Sequence, residues 1–410
     1  MTRFDFTPLL AANLPPAAPR WTGFPAHNFI GGHNAREAIP VDALIEAMTR
    51  QLREKGRELA TYNLEGGRQG MSAARDVVAA KLGRDRGIAC TADDVLMLSG
   101  SLQGFDLVNG ALLEPGDTVI IEEHTYGGIL SNVQRRGVSI VGAPLDRDGI
   151  VVDQLAERLD QLAADGIVPK YIYTIPTVQN PTGSIMPLAR RRALLDLARD
   201  RGIPIFEDEC YADLVWEDED WPPSLRGLDD TGLVIHLGSF SKTLAPALRL
   251  GYLVADWPIM SRLLPLKTDA GTGALEQMLV ADYFGSRFQE HLAMLKPMLR
   301  AKLDAMVEAV DAEFGTAAEH VAPKGGIFFW MRIPGVDTTK LLATCQAEGL
   351  EYNPGAAWST SDADARAGES LRLCFALPSP EEIREGVAKL AEICHRETGI
   401  PLRGTNVVRG

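Results

Sequence analysis

The chain has 410 residues, more than one hydrophobic core usually organises, so a larger and a smaller domain are expected. Hydrophobic residues make up 46% and charged residues 23%, which excludes wholesale disorder and fibrous repeats. With 41 basic against 55 acidic side chains the formal charge is -14, a balance that opposes a nucleic-acid partner while leaving local phosphate sites open.

No apolar run approaches the roughly 20 residues that cross a bilayer, and the N-terminus lacks the basic-then-apolar pattern of a secretion signal. The expected location is therefore the cytoplasm, with no membrane partner. Cys90, Cys210, Cys345, Cys374 and Cys394 are scattered and odd in number, which argues against a disulfide framework and for reduced, mostly buried thiols.

Residues 1–40 read as an arm, because Pro15, Pro16, Pro19 and Pro25 break any long helix before Ile39-Pro40. A helix follows from Val41, where Leu44, Ile45, Met48 and Leu52 recur at the spacing of one apolar face. Seven apolar runs then read as strands: Val95 to Leu98, Val119 to Ile121, Val138 to Val141, Tyr171 to Ile175, Ile203 to Phe206, Val234 to Leu237 and Leu250 to Val254. Separated by amphipathic stretches, they predict an α/β domain over residues 41–287 with a largely parallel sheet covered by helices. Residues 288–410, with Gly325 to Trp330 and the strand-like Leu371 to Phe375, predict a separate α+β domain, the boundary falling at a helical bend near 285–290.

Residues suited to chemistry follow the strand ends, where loops are exposed and held in place. Ser99-Gly100-Ser101-Leu102-Gln103-Gly104 opens a helix after the first strand, and amides at such a helix start suit a phosphate, although many strand-to-helix turns look alike. Tyr126 lies after the second strand and suits stacking on a flat ring, while loop tyrosines are more often merely packed. Asn180-Pro181-Thr182-Gly183 alone reads as a turn, but its amide and the Tyr211 hydroxyl are suitable donors to a phenolate oxygen.

The strand ending at Phe206 runs into Glu207-Asp208-Glu209-Cys210-Tyr211. A buried carboxylate beside a pyridine nitrogen keeps it protonated, and Asp208 is the candidate. A solvated acidic turn competes with it, and a metal site lacks histidines nearby in the sequence. Cys210 reads as a small packing residue.

The densest pattern is Gly238 to Tyr252, which sets Lys242 among Ser239, Ser241 and Arg249 directly after an apolar strand. A lysine used for Schiff-base chemistry needs burial or nearby positive charge, and two hydroxyls with a planar guanidinium suit a phosphate. A solvated lysine is the commoner fate of any single one.

Taken together these motifs resemble the class I/II aminotransferases of fold type I, especially the branch of 2-aminoadipate and broad-specificity amino-acid aminotransferases. The resemblance runs from Tyr62 through the Gly-Ser-Leu-Gln turn, Tyr126, Asn180 to Gly183, Asp208 to Tyr211, Ser239 to Arg249, Lys324-Gly325-Gly326 and Leu371-Arg372-Leu373. Leu102 stands where many relatives carry glutamine, and Tyr62 to Arg75 is longer than their usual tyrosine-to-arginine spacing.

The resemblance implies an aspartate-aminotransferase-like fold, a homodimer and pyridoxal 5'-phosphate held by Lys242 as a Schiff base. It implies that Asp208 pairs with the ring nitrogen, Asn180 and Tyr211 contact the ring oxygen, and Tyr126 stacks on the ring. Gly100, Ser101, Leu102, Ser239, Ser241 and Arg249 would surround the phosphate, with Tyr62 reaching in from a partner subunit. Arg372, with Asn180, would bind the α-carboxylate of an amino acid, which exchanges its amine with a 2-oxo acid by a ping-pong route. Elimination, replacement, decarboxylation or oxidation on the same cofactor is the enzymatic alternative, and a ligand-sensing regulator a more distant one.

Overall fold

Each of the seven apolar runs forms a strand of one sheet in the computed structural model, which describes residues 4–11, 14, 17–62, 64–219, 221–361 and 364–402. Pro15 and Pro16, expected to break the arm, lie outside these residues. The strands are β1 (Val95–Leu98), β2 (Thr118–Glu122), β3 (Ser139–Ala143), β4 (Ile172–Thr174), β5 (Ile205–Asp208), β6 (Val234–Ser239) and β7 (Gly251–Val254). Their spatial order is β1-β7-β6-β5-β4-β2-β3, and β7 alone runs antiparallel to both neighbours.

Alternation along each strand serves two cores. Val95 and Met97 of β1 pack into one apolar cluster while Leu96 and Leu98 face Phe105 and Val108 of the helix Ser101–Leu112 on the other side. Burial on both faces is why these runs are continuously apolar.

A second sheet contains β8 (Glu319–His320), β9 (Phe328–Arg332), β10 (Asn353–Pro354) and β11 (Ser370–Cys374), ordered β8-β9-β11-β10 and antiparallel throughout. The helix Ala274–Phe314 runs unbroken through residues 285–290, with Pro297 inside it. It packs on the helices Val41–Lys55, Ser72–Arg86 and Pro380–Thr398.

Within residues 1–40, His27–Asn28 pairs in parallel with Leu350–Glu351 and Phe29 is wholly buried, so the segment from residue 27 is woven into the fold. The helix Val41–Lys55 departs from expectation: Leu44 and Met48 are half-buried, but Ile45 and Leu52 remain 58% and 43% exposed. Its apolar stripe is only partly covered by this chain.

Beneath β5 lies a buried charge cluster. Arg86 grips Glu209 with Nε and Nη2 at 2.7 and 2.6 Å, Thr177 Oγ1 donates to the same carboxylate at 2.5 Å, and Arg191 Nη1 approaches at 3.4 Å. Arg86→Leu removes the bidentate partner of a buried carboxylate and is expected to cost about 3 kcal/mol, read as a lower denaturant midpoint at unchanged m-value.

Candidate active site

The strand directions bring the candidate residues to one edge. Gly100 and Ser101 follow β1, Tyr126 follows β2, Asn180 follows β4, Asp208 closes β5 and Lys242 follows β6. Because β7 is antiparallel, its start lies at that same edge, and Arg249 lies two residues before it. Arg372 arrives from β11 of the second sheet. Between them lies a cavity of about 300 Å³, lined by Ser101, Leu102, Tyr126, Asn180, Asp208, Tyr211, Ser239, Ser241, Lys242, Arg249 and Arg372. Gly100 abuts this wall: its φ is 86°, and a Cβ there would collide with the Arg249 guanidinium.

Lys242 donates from Nζ to the Gly32 carbonyl at 2.8 Å. Burial lowers its affinity for a proton, and Arg372 and Arg249 act in the same direction. A Cβ on Gly32 would collide with Nζ, so glycine is what lets the backbone come this close. The lysine turn is anchored further by Asn34 Nδ2 donating to Leu244 O at 3.1 Å and by His291 Nε2, 2.5 Å from Thr243 O.

Asp208 is buried, which overturns the solvated acidic turn as an explanation of this segment; Glu207 and Glu209 beside it are buried too. Tyr173 Oη donates to Asp208 Oδ2 at 2.8 Å and the Cys210 amide to Oδ1 at 3.2 Å. Burial nevertheless raises its pKa above the ordinary carboxylate value. Cys210 lines the cavity, and burial together with Asp208 pushes its thiol well up. The structure also brings His236, distant in sequence, to 2.8 Å from Glu207. Glu207 additionally accepts from the Leu225 and Arg226 amides, so protein donors take up its oxygens.

Arg372 is buried with its guanidinium between two rings, 3.6 Å from the Phe328 centroid and 3.9 Å from that of Trp358. Its Nη1 donates to Asn180 Oδ1 at 3.0 Å; Nη2 donates to Asn353 Oδ1 and Gly31 O, each at 2.8 Å. No acidic side chain pairs with it among the described residues, Nε has no protein partner, and burial pulls its pKa down to about 10. Asn180 in turn donates from Nδ2 to Tyr211 Oη at 3.2 Å.

Gly31, Gly32, Phe328, Asn353 and Trp358 also line the cavity and were not singled out from sequence. The Gly31-Gly32 pair was the available signal for the first two; Asn353 is found only through its register opposite Arg372. Tyr62 stands apart, 84% exposed and outside the cavity of its own chain.

The model of the aminotransferase class I and II family matches residues 32–390. The chain belongs to this family. It is 32% identical to aromatic-amino-acid aminotransferase 1 of Thermococcus litoralis, covering 90% of this chain and 87% of that protein. It is 33% identical to 2-aminoadipate transaminase of Thermus thermophilus, covering 88% of each. The solved structure of an alpha-aminoadipate aminotransferase from Thermus thermophilus, complexed with N-(5'-phosphopyridoxyl)-L-leucine, is similar at a TM-score of 0.81 and 33% identity, covering 89% of this chain and 91% of that one.

This aminotransferase has the aspartate-aminotransferase-like fold and uses pyridoxal 5'-phosphate. The cavity fits that group. It offers a lysine with a lowered proton affinity, a buried carboxylate, and a guanidinium and two serines beside a glycine too close to Arg249 to bear a side chain. Gly100→Ala would strain a left-handed residue and displace Arg249. The expected result is a rise of about tenfold in the dissociation constant for pyridoxal phosphate with an unchanged far-UV spectrum, measured by absorbance titration of the apoprotein.

Proposed function

We propose that this chain transaminates an α-amino acid with a 2-oxo acid through the following division of labour among its residues. The observation that carries it is that Arg372 and Lys242 donate to consecutive carbonyls, those of Gly31 and Gly32, and so face one cavity within reach of a single amino acid. Pyridoxal 5'-phosphate, when bound, supplies an aldehyde that condenses with amines and a protonated ring that accepts the electron pair left at Cα.

Arg372 grips the substrate α-carboxylate with its planar fork, held flat by Phe328 and Trp358, and Asn180 fixes the angle of that fork. Lys242 Nζ, its proton affinity lowered, removes the Cα proton as general base. Asp208, oriented by Tyr173, holds the proton on the ring nitrogen, while Asn180 and Tyr211 donate to the ring oxygen and Tyr126 covers the ring face. Ser101, the Gly100 and Leu102 backbone, Ser239, Ser241 and Arg249 bind the phosphate. Residues 41–287 form the cofactor-binding domain and 288–410 the smaller domain, with the division inside the long helix. The enzyme works in the cytoplasm, a placement supported by five free cysteines.

We further propose a homodimer, supported by the exposed Ile45, Leu52, Leu59 and Tyr62, with Tyr62 approaching the neighbouring subunit's phosphate site. Sedimentation is expected to give twice the chain mass of 44.5 kDa, and a monomer at micromolar concentration would remove the Tyr62 role.

Borohydride reduction of the holoenzyme is expected to fix the cofactor on the peptide containing Lys242, and an amino donor alone should convert the cofactor stoichiometrically to its amine form. Label elsewhere, or catalytic release of ammonia without an acceptor, would overturn the assignment. Arg372→Lys keeps the charge but loses the fork; it should raise KM for the amino donor about tenfold or more, with a smaller change in kcat.

A further inference from the structure

Glu122, at the end of β2, is wholly buried and has no cationic partner among the described residues. Three neutral groups donate to it instead: Thr174 Oγ1 at 2.6 Å and the Ile175 amide at 3.1 Å to Oε1, and Gln179 Nε2 at 3.0 Å to Oε2. Gln179 spreads that contact across the next turn. Its Nε2 also donates to His124 O at 2.6 Å, and its Oε1 accepts from the Thr182 amide and hydroxyl, both at 2.8 Å. These bonds bracket Asn180 and Pro181 from both sides.

The turn they hold is strained. Val178, just before Gln179, has φ 55°, a left-handed conformation that a β-branched residue rarely adopts. Its side chain sits over Gly325 and Gly326, where added Cβ atoms would come within 2.8 and 2.7 Å of the Val178 methyls. This gives a physical reason for the two glycines of Lys324-Gly325-Gly326. Such strain persists only where the surroundings over-determine it. Here the glycine pair seats one side of the turn and the Glu122–Gln179 contact ties down the other.

We propose that Glu122 is a positioning residue for Asn180, acting through Gln179 to hold the strained turn whose amide bridges Arg372 and Tyr211. The proposal rests on the role given above to Asn180 and Arg372. An ionised carboxylate satisfies all three donors, whereas a proton on Oε2 would set one donor against the Gln179 amide. The ionisable groups acting on Glu122 are Asp208 on β5 and Tyr173 on β4; its neighbour across β3 is Ala143. Burial, aided by the Asp208 charge, holds Glu122 up at about 7 against those hydrogen bonds. The carboxylate that accepts all three donors is the form favoured above that pH, and protonation below it weakens the set.

The test is steady-state kinetics of the holoenzyme over pH 6 to 9, with borohydride trapping at Lys242 as a control. Glu122→Gln fixes the donor-against-donor arrangement permanently. It should raise KM for the amino donor about tenfold at pH 8, change kcat less, abolish the inflection of KM near pH 7 and leave trapping intact. Gln179→Glu sets two carboxylates together and should be similarly impaired. The double variant E122Q/Q179E restores one donor–acceptor pair and should recover part of the loss, which decides the matter even if one single variant folds poorly. A wild-type KM in E122Q with the inflection retained, or no recovery in the double variant, overturns the proposal. Asn180→Ala separates the two levels: raised KM there with E122Q unaffected sinks only the positioning role, while an unaffected N180A sinks the assignment of Asn180 itself.

Discussion

A buried guanidinium ties the second sheet to the first. Arg372 belongs to β11, but its donors reach Asn180 beyond β4, Asn353 on β10 and the Gly31 carbonyl of the N-terminal segment. Stripping a cation of water costs several kcal/mol, and no carboxylate among the described residues offsets that cost. Two aromatic faces and three neutral hydrogen-bond acceptors share the work, and both faces of the plane are covered. What remains without a protein partner is Nε, which is buried, and a guanidinium with a donor to spare is what a carboxylate recognises. The same side chain therefore holds the two sheets together and, in the function proposed above, binds the substrate carboxylate.

That cation also bears on the lysine. Burial, Arg372 and Arg249 together make an ammonium at Lys242 less favourable, while the Gly32 carbonyl holds Nζ in place. A lowered proton affinity is what distinguishes this amine from a fully solvated one. The N-terminal segment thereby becomes part of the site. Gly31 and Gly32 touch Arg372 and Lys242, and Phe29 O accepts from the Cys374 amide two residues beyond Arg372.

Local pattern revealed the elements well because their physics is local. All seven strands were visible as apolar runs; in six of them burial on both faces leaves no polar alternation to blur the run, and only the edge strand β3 is partly exposed. Lys242, Asp208 and Arg249 were visible because a lysine, an acid and an arginine at strand ends break the apolar pattern. Trp358, Phe328 and Asn353 were not. Each is ordinary in its own segment and gains meaning only by meeting Arg372 across the fold. The helix Val41–Lys55 shows the converse limit: an apolar stripe declares that something covers it, not which surface does.

The run Glu207-Asp208-Glu209 shows how one strand end divides its labour. Side chains alternate along extended backbone, so Asp208 faces the cavity while Glu207 and Glu209 face away. Glu209 is neutralised by Arg86 and Arg191, and Glu207 takes backbone amides and His236. Both are saturated and hold the strand in place. Asp208 receives a phenol and an amide but no cation, and burial raises its pKa. Three consecutive acids are tolerable in a protein interior only because their partners differ in kind, and the one with neither an arginine nor a histidine against it is the one that faces the cavity.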